Sequence, residues 1–99
     1  MIAAAGELDI TSAPLLRETL LKAGPYTILN LADLLFIDST GLSVLIGAWK
    51  RHRDDGGVLR LVAPPSFVQR MLTWTGLDRR LPVFPDLDAA VSEPLETAT

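Results

Sequence analysis

Two kinds of apolar stretch alternate along the chain. Short apolar runs in "MIAAAG", "YTILNL" and "VLRLVA" are typical of strands, although the first is a weak candidate because alanine is a poor strand former. Between them, "TSAPLLRETLLKAG" and residues 40–54 carry apolar residues at the spacing of a helix. This alternation predicts an α/β domain with about four helices on a small, mixed, mostly parallel sheet whose first strand is short or missing.

Capping residues and glycines mark the ends of the first helix. Thr11 or Ser12 is a candidate cap, Pro14 suits the first turn, and Gly24 stands where a helix stops. The predicted apolar stripe of this helix consists of Leu15, Leu16, Leu20 and, at its margin, Leu21. The strand "YTILNL" should follow directly.

The second helix is predicted from about Thr40 to Asp54, and the pair Gly56-Gly57 breaks it. Its predicted buried stripe is Leu42, Leu45, Ile46 and Trp49. Small and polar residues point away from that stripe, namely Ser43, Gly47 and Lys50. We interpret this second face as a docking surface for a partner, because small residues allow close approach. The alternative is that Gly47 accommodates a neighbouring element of the same chain.

The last third of the chain predicts one full helix and two short elements. Ser66 is the expected cap of the helix "SFVQRMLTWT" and Gly76 its stop. "LPVF" is expected to be extended, and Asp86 should cap a last helical turn or two.

Composition indicates one globular domain. The 99 residues are 48% hydrophobic and 21% charged, so we expect a single domain over residues 1–92 and a flexible tail over 93–99. A net charge of −3 and scattered basic residues argue against nucleic acid as a partner. No apolar run reaches the length of a membrane span, and the absence of cysteine excludes disulfides and suits a cytoplasmic protein.

Ser39 is the candidate chemical centre, because the stretch "IDSTGL" places two hydroxyls between a strand and a helix. The simplest interpretation is that Ser39 caps the helix. A catalytic serine needs a nearby base, but the single histidine, His52, lies thirteen residues further along the helix, about 20 Å away. We expect His52 to be solvated between Arg51 and Arg53 at the end of the helix.

Binding of a phosphate ligand or a metal at this position has little support. The start of a helix presents free N–H groups, but "DSTG" has one glycine and no following lysine, and Asp38 would repel an anion. No cluster of carboxylates and histidines has the spacing of metal ligands. We therefore expect no metal, no cofactor and no enzymatic activity, which leaves covalent modification of Ser39.

Several motifs in order resemble one family. "GELDITSAPLLRETL", "NLADLLFIDSTGL", the "GG" turn and the helix with "F…ML…TGL" are similar to the STAS domain of bacterial anti-sigma factor antagonists, over most of the chain from Gly6 to about Val91. In that family the serine after the aspartate of D-S-[ST]-G-L is phosphorylated by an anti-sigma factor that is also a serine kinase. By position this serine is Ser39.

The resemblance implies a cycle of partner exchange. The unphosphorylated antagonist binds the anti-sigma factor and frees the sigma factor, phosphorylation ends this binding, and a phosphatase restores it. Residues expected to contact the partner are Asp9, Asp38, Thr40, Ser43 and Gly47. The loop formed by "GELD" should place Asp9 near the phosphoacceptor. Alternatively, Asp9 is an ordinary turn or capping residue and Asp38 only ends the strand.

Two further expectations follow from the resemblance. STAS-like domains also serve as scaffolds that are not switched, so an unswitched interaction module is the alternative function. Family members usually carry a further strand before the one that leads into "GELD", where only "MIAAA" is present here. An exposed strand edge would then be free to pair with a second copy of the chain.

Overall fold

The computed structural model describes residues 1–94, in which strands and helices alternate as the sequence predicts. The elements are β1 (Ile2–Leu8), α1 (Ala13–Leu21), β2 (Tyr26–Ile37), α2 (Ser39–Asp54), β3 (Val58–Val62), α3 (Ser66–Thr75), a 3₁₀ turn (Leu77–Arg79), β4 (Val83–Phe84) and α4 (Leu87–Ser92). The α/β class and the four helices are confirmed. Most of the predicted tail, residues 95–99, lies outside the described residues.

The four strands form one sheet in the order β1-β2-β3-β4, and all three pairs are parallel within residues 1–94. The order in space therefore follows the order in the chain. Right-handed crossovers then place α1 and α2 on the same face of the sheet, where the two helices pack side by side. The carboxyl ends of β1 and β2 lie together, since Leu8 is paired with Ile37.

β1 is longer than expected because it runs through most of the "GELD" motif. Gly6 and Leu8 belong to the strand, so only Asp9 of that motif lies in a turn, which corrects the predicted loop. The pairing with β2 shifts register twice, between Ala3 and Ala5 and after Gly6, whose φ is +75°. Such shifts are bulges that increase the local twist. No other strand of residues 1–94 pairs with the outer edge of β1.

The core is formed by the sheet and the helices α1, α2 and α3. Its fully buried leucines include Leu29, Leu31, Leu45, Leu59 and Leu61. The predicted stripe of α1 is only half right, because Leu16 and Leu20 are buried whereas 71% of Leu15 and 45% of Leu21 are exposed.

The buried line of α2 is rotated from the predicted one. Gly41, Leu45 and His52 are buried, while Leu42, Ile46 and Trp49 are half-buried. His52 in particular is 6% exposed, so the expectation of a solvated histidine is wrong. Its Nδ1 lies 2.9 Å from the Ala48 carbonyl oxygen, and its Nε2 lies 3.1 Å from Thr27 Oγ1. His52 thus joins the end of α2 to the start of β2.

The second half of the domain follows its local signals except at the start of α3. Gly76 ends that helix in the left-handed region with φ of +74°, as expected. Ser66 is the first helical residue, and the capping position before it is occupied by Pro65, so the predicted serine cap is wrong. Asp86 does cap α4, because its carboxylate accepts a hydrogen bond from the Ala89 N–H.

Hydrogen bonds from a buried arginine of β3 hold helix α4 in place. The Arg60 guanidinium donates hydrogen bonds to the carbonyl oxygens of Ala90, Glu93 and Pro94 and lies 5.3 Å from the centre of the Phe84 ring. Carbonyl groups at the end of a helix attract positive charge, so this arginine is satisfied without a carboxylate.

Candidate functional site

The site forms where the carboxyl ends of β1 and β2 meet. The Asp38 N–H donates to the Leu8 carbonyl oxygen over 3.1 Å, which fixes the β2–α2 junction against the end of β1. Asp9 directly follows Leu8, and Ser39 directly follows Asp38. The structure thus brings together Asp9, Asp38, Ser39 and Thr40 at the edge of a parallel sheet where functional groups commonly gather.

Asp38, not Ser39, caps α2. The Asp38 carboxylate accepts a hydrogen bond from the Gly41 N–H over 2.9 Å, and its carbonyl oxygen accepts one from the Leu42 N–H over 2.9 Å. The interpretation of Ser39 as the cap is therefore wrong, and the reason is physical. The aspartate one residue earlier has the extended backbone that a capping residue requires, whereas Ser39 is already helical.

Gly41 allows the first turn of α2 to press against β1. A Cβ atom at this position would lie 2.5 Å from the Leu8 carbonyl oxygen, 2.7 Å from the Leu8 side chain and 2.9 Å from Ile37. No side chain fits at such distances, because carbon and oxygen are in contact at more than 3 Å. The glycine of "DSTG" is thus required by packing, and it sets the position of the two residues before it.

Ser39 is the first residue of α2, and it is exposed. Within residues 1–94 its hydroxyl makes no hydrogen bond, and only its carbonyl oxygen is engaged, accepting from Ser43 Oγ over 2.9 Å. Thr40 is half-buried. Ser39 therefore presents a free hydroxyl to solvent on a rigid helix start, and an incoming enzyme can reach it without unfolding the domain.

Within the described residues, no histidine lies near Ser39 to act as the base of a catalytic serine. His52 lies about 20 Å further along α2, and both of its nitrogens already face oxygen atoms of the same chain. Residues 1–94 also contain no group of three His, Asp or Glu residues that could hold a metal ion. None of their helices is long and apolar enough to cross a membrane.

Asp9 organises its own turn. Its carboxylate accepts hydrogen bonds from the N–H groups of Thr11 and Ser12, over 2.9 and 3.1 Å, and from the Ser12 hydroxyl. These backbone donors hold the pKa of the Asp9 carboxyl below its ordinary value of 3.8. These contacts show Asp9 as a turn residue before a helix, which is the alternative role considered for it, and its contact with a partner stays a prediction.

The remaining two predicted contact residues line a groove between α1 and α2, here called the α1–α2 groove. It has a volume of about 250 Å³, and its walls include Arg17, Leu20, Leu21, Ser43, Gly47 and Arg51. Ser43 and Gly47 are exposed, and a Cβ atom on Gly47 would meet nothing within 4 Å. The chain itself thus does not need a glycine here, which removes the interpretation that Gly47 accommodates a neighbouring element.

The sequence reasoning missed the two arginines of this groove. A signal for one of them was present, because Ser39, Ser43, Gly47 and Arg51 recur every four residues and so form one inclined row of neighbours on α2. Arg17 belongs to α1, and only the packing of the two helices brings it to the same groove.

Comparisons with known proteins agree with this geometry. A family model described as the STAS domain matches residues 1–90. The anti-sigma-B factor antagonist of Bacillus subtilis is 40% identical over 76 residues, which cover 74% of this chain and 70% of that protein. The anti-sigma F factor antagonist of Paenibacillus polymyxa is 32% identical over 95 residues, which cover 89% of this chain and 80% of that protein.

The structural comparison leads to the same family. A crystal structure of an anti-sigma factor antagonist from Mycobacterium paratuberculosis matches with a TM-score of 0.79 at 26% identity, covering 91% of this chain and 80% of that one. These relatives are named as antagonists, a class of regulatory binding proteins and not of enzymes, in agreement with the expectation from the sequence. With nearly all of its described residues matched, the chain belongs to the STAS domain family.

Proposed function

We propose that this protein is an anti-sigma factor antagonist that is switched by phosphorylation at Ser39. In its unphosphorylated form it binds an anti-sigma factor with serine kinase activity and so frees a sigma factor in the cytoplasm. Transfer of phosphate to Ser39 ends this binding, and a phosphatase restores it. The observation that carries the proposal is the free, exposed Ser39 hydroxyl at the start of α2, in a chain whose relatives are named as anti-sigma factor antagonists.

The fold should tolerate a phosphate at Ser39. A phosphoserine carries about −1.5 to −2 charges at neutral pH. The N–H groups of Gly41 and Leu42 bond to Asp38, and within residues 1–94 no backbone acceptor engages those of Ser39 and Thr40. These two groups would face the phosphate at the positive end of the helix, and their attraction, about 0.3–1 kcal/mol, offsets the repulsion by the Asp38 carboxylate. Phosphorylation therefore leaves the domain folded.

Binding to a partner should respond more strongly than folding. Two like charges about 6 Å apart repel by roughly 3 kcal/mol at an effective dielectric constant of about 20. Since about 1.4 kcal/mol corresponds to a tenfold change in affinity, one such contact weakens the complex about a hundredfold. A single phosphate facing a carboxylate of the partner is thus a sufficient switch. Asp38 and Thr40 flank this position and are proposed to contact the same partner.

The first experiment locates the phosphate. The purified protein is incubated with ATP and each anti-sigma factor kinase of its own organism, and the product is analysed by mass spectrometry. We expect one phosphate on the wild type and on Thr40→Ala, and none on Ser39→Ala. Phosphate on Thr40 or Ser43 of the wild type would contradict the site assignment. Binding of an anti-sigma factor without phosphate transfer by any of these kinases would instead favour an unswitched scaffold.

An aspartate at position 39 imitates the negative charge of phosphoserine and tests whether that charge acts on folding or on binding. Ser39→Asp should keep the melting temperature of the wild type and bind the anti-sigma factor far more weakly. Ser66→Asp is the matched control, because Ser66 is also an exposed first residue of a helix but starts α3. It should bind like the wild type. Unfolding of Ser39→Asp, or equal weakening by both changes, would show that charge at this site acts through the fold.

The outer edge of β1 supports a second, weaker association. Within residues 1–94 this edge has no strand partner, and the exposed residues of β1 include Ala3 and Ala5. Unpaired backbone groups on a strand edge are a template for another strand, so we propose pairing with a second copy. Light scattering should show association that rises with concentration and is lost in Ala5→Lys. A monomeric wild type at high concentration would contradict it.

A further inference from the structure

We propose that the α1–α2 groove receives an acidic segment of the anti-sigma factor, with one apolar side chain seated over Gly47. This inference rests on the proposed function and names the chemistry of the partner surface. The groove faces solvent beside the phosphoacceptor, and two of its wall residues, Ser43 and Gly47, lie in the row of α2 that begins at Ser39.

Two arginines give the groove its charge. Arg17 of α1 and Arg51 of α2 are both exposed, and within residues 1–94 neither forms an ion pair. The whole chain carries a net charge of −3, so this positive pair is a local feature of the surface. Guanidinium groups bind carboxylates through paired hydrogen bonds, and an occupant of this groove therefore carries carboxylates.

The floor of the groove is apolar. Leu20 is buried, Val44 and Ala48 are half-buried, and all three line the space between the helices. Gly47 has no side chain, and the position its Cβ would take has no neighbour within 4 Å. An apolar side chain between two acidic residues fits this arrangement, because it covers the floor while the carboxylates meet the arginines.

The position of the groove accounts for the direction of the switch. Four residues of helix rise about 6 Å, so a phosphate on Ser39 lies at the end of the groove beside Ser43. Arg51 is twelve residues further on, about 18 Å along the helix, too far to neutralise that phosphate. Arg17 is, like Ser43, the fifth residue of its helix and lies nearer, so a phosphate that pairs with Arg17 takes this arginine away from the acidic segment. The phosphate therefore repels an acidic segment that lies in the groove, and phosphorylation weakens binding.

Reversing the charge of the two groove arginines tests whether they bind the anti-sigma factor. Arg17→Glu combined with Arg51→Glu should weaken binding to the anti-sigma factor at least tenfold and leave the melting temperature unchanged, since both side chains are exposed. Arg70→Glu is the matched control, because Arg70 is exposed on α3. Binding by the double variant equal to that of the wild type would overturn the inference.

A large side chain at Gly47 tests whether a group of the partner enters the groove at this position. Gly47→Phe should remove most of the binding, whereas Gly47→Ala should bind within about threefold of the wild type. Both variants should fold, because the space around this position is open and both alanine and phenylalanine have a higher helix propensity than glycine. Full binding by Gly47→Phe would show that no partner group enters the groove.

A short acidic peptide tests the groove without the anti-sigma factor, so the inference about the groove can fail while the proposed function still holds. The peptide acetyl-Glu-Glu-Leu-Glu-Glu-amide should shift the amide NMR signals of Ser43, Gly47 and Arg51 in the wild type. The double arginine variant should show no such shifts, and the corresponding lysine peptide should cause none. Absence of shifts in the wild type would overturn the groove as an acidic site, even if an anti-sigma factor binds elsewhere.

Discussion

Helices α2 and α4 begin in the same way, and only α2 begins at the proposed phosphorylation site. Asp38 accepts from the Gly41 N–H over 2.9 Å, and Asp86 accepts from the Ala89 N–H over 2.8 Å. Each aspartate has extended backbone and satisfies the same donor of the first turn. The cap itself is therefore a structural device that the chain uses twice.

The difference lies in the residue after the cap and in the place where the helix starts. Ser39 follows Asp38, whereas Leu87 follows Asp86. α2 begins at the end of the twelve-residue strand β2 beside the Asp9 turn, and α4 begins after the two-residue strand β4. Because the aspartate performs the capping, the hydroxyl of Ser39 stays free. A hydroxyl at a helix start becomes a candidate site when another group has taken over the structural role.

The largest effect on stability is expected when the first turn of α2 is made like that of α4. Gly41→Ala places there the residue that α4 has at the same position, Ala89. The new Cβ would lie 2.5 Å from the Leu8 carbonyl oxygen, so we expect a loss of about 3 kcal/mol in the free energy of unfolding. Urea denaturation measures it. Gly47→Ala is the control and should be neutral or stabilising, and equal stability of both variants would contradict the packing role.

A smaller effect is expected from removing each cap in turn. Asp38→Ala should cost about 1–2 kcal/mol, because it leaves a donor unsatisfied in a sixteen-residue helix that packs on the core. Asp86→Ala should cost about 0.5–1 kcal/mol, because the six-residue helix α4 is also held by Arg60. Chemical denaturation distinguishes the two. A larger loss of unfolding free energy for Asp86→Ala than for Asp38→Ala would contradict this ranking of the two caps.

Local signals in the sequence predicted the element order and several boundaries well. Gly76 ends α3 and Asp86 starts α4 as expected, since both act through the backbone of their own turn. The same local signals predicted the wrong capping residue for two helices, α2 and α3. Ser39 and Ser66 are themselves helical, and the residues before them, Asp38 and Pro65, occupy the capping positions.

Features that depend on packing between distant segments could not be predicted from spacing. His52 is buried because Gly24 and Thr27, more than twenty residues earlier, offer oxygen atoms to its ring. Leu15 fits the helical stripe of α1 but is exposed, because the sheet covers only the side with Leu16. The spacing along α2 brings Ser39, Ser43, Gly47 and Arg51 into one row, whereas Arg17 reaches the groove only because α1 packs against α2.

Asp9 gives the smallest of the expected effects, and unlike Asp38 and Asp86 its carboxylate holds a turn before a helix and does not cap the helix. Its pKa is lowered by hydrogen bonds from Ser12 and Thr11, so the folded state binds a proton less readily than the unfolded state. Its contribution to stability is present above pH 3.8 and is lost as the pH falls through the lower, folded pKa. The difference in melting temperature between wild type and Asp9→Asn should shrink below about pH 4. A difference that is constant with pH would contradict this account.

The central claim is that phosphate on Ser39 changes binding and leaves the fold intact. Isothermal titration of the anti-sigma factor with unphosphorylated and fully phosphorylated protein tests it most directly, with the melting temperature of both forms measured alongside. We expect about a hundredfold weaker binding of the phosphorylated form at an unchanged melting temperature. Equal affinities of the two forms, or weaker binding that accompanies unfolding, would contradict the claim.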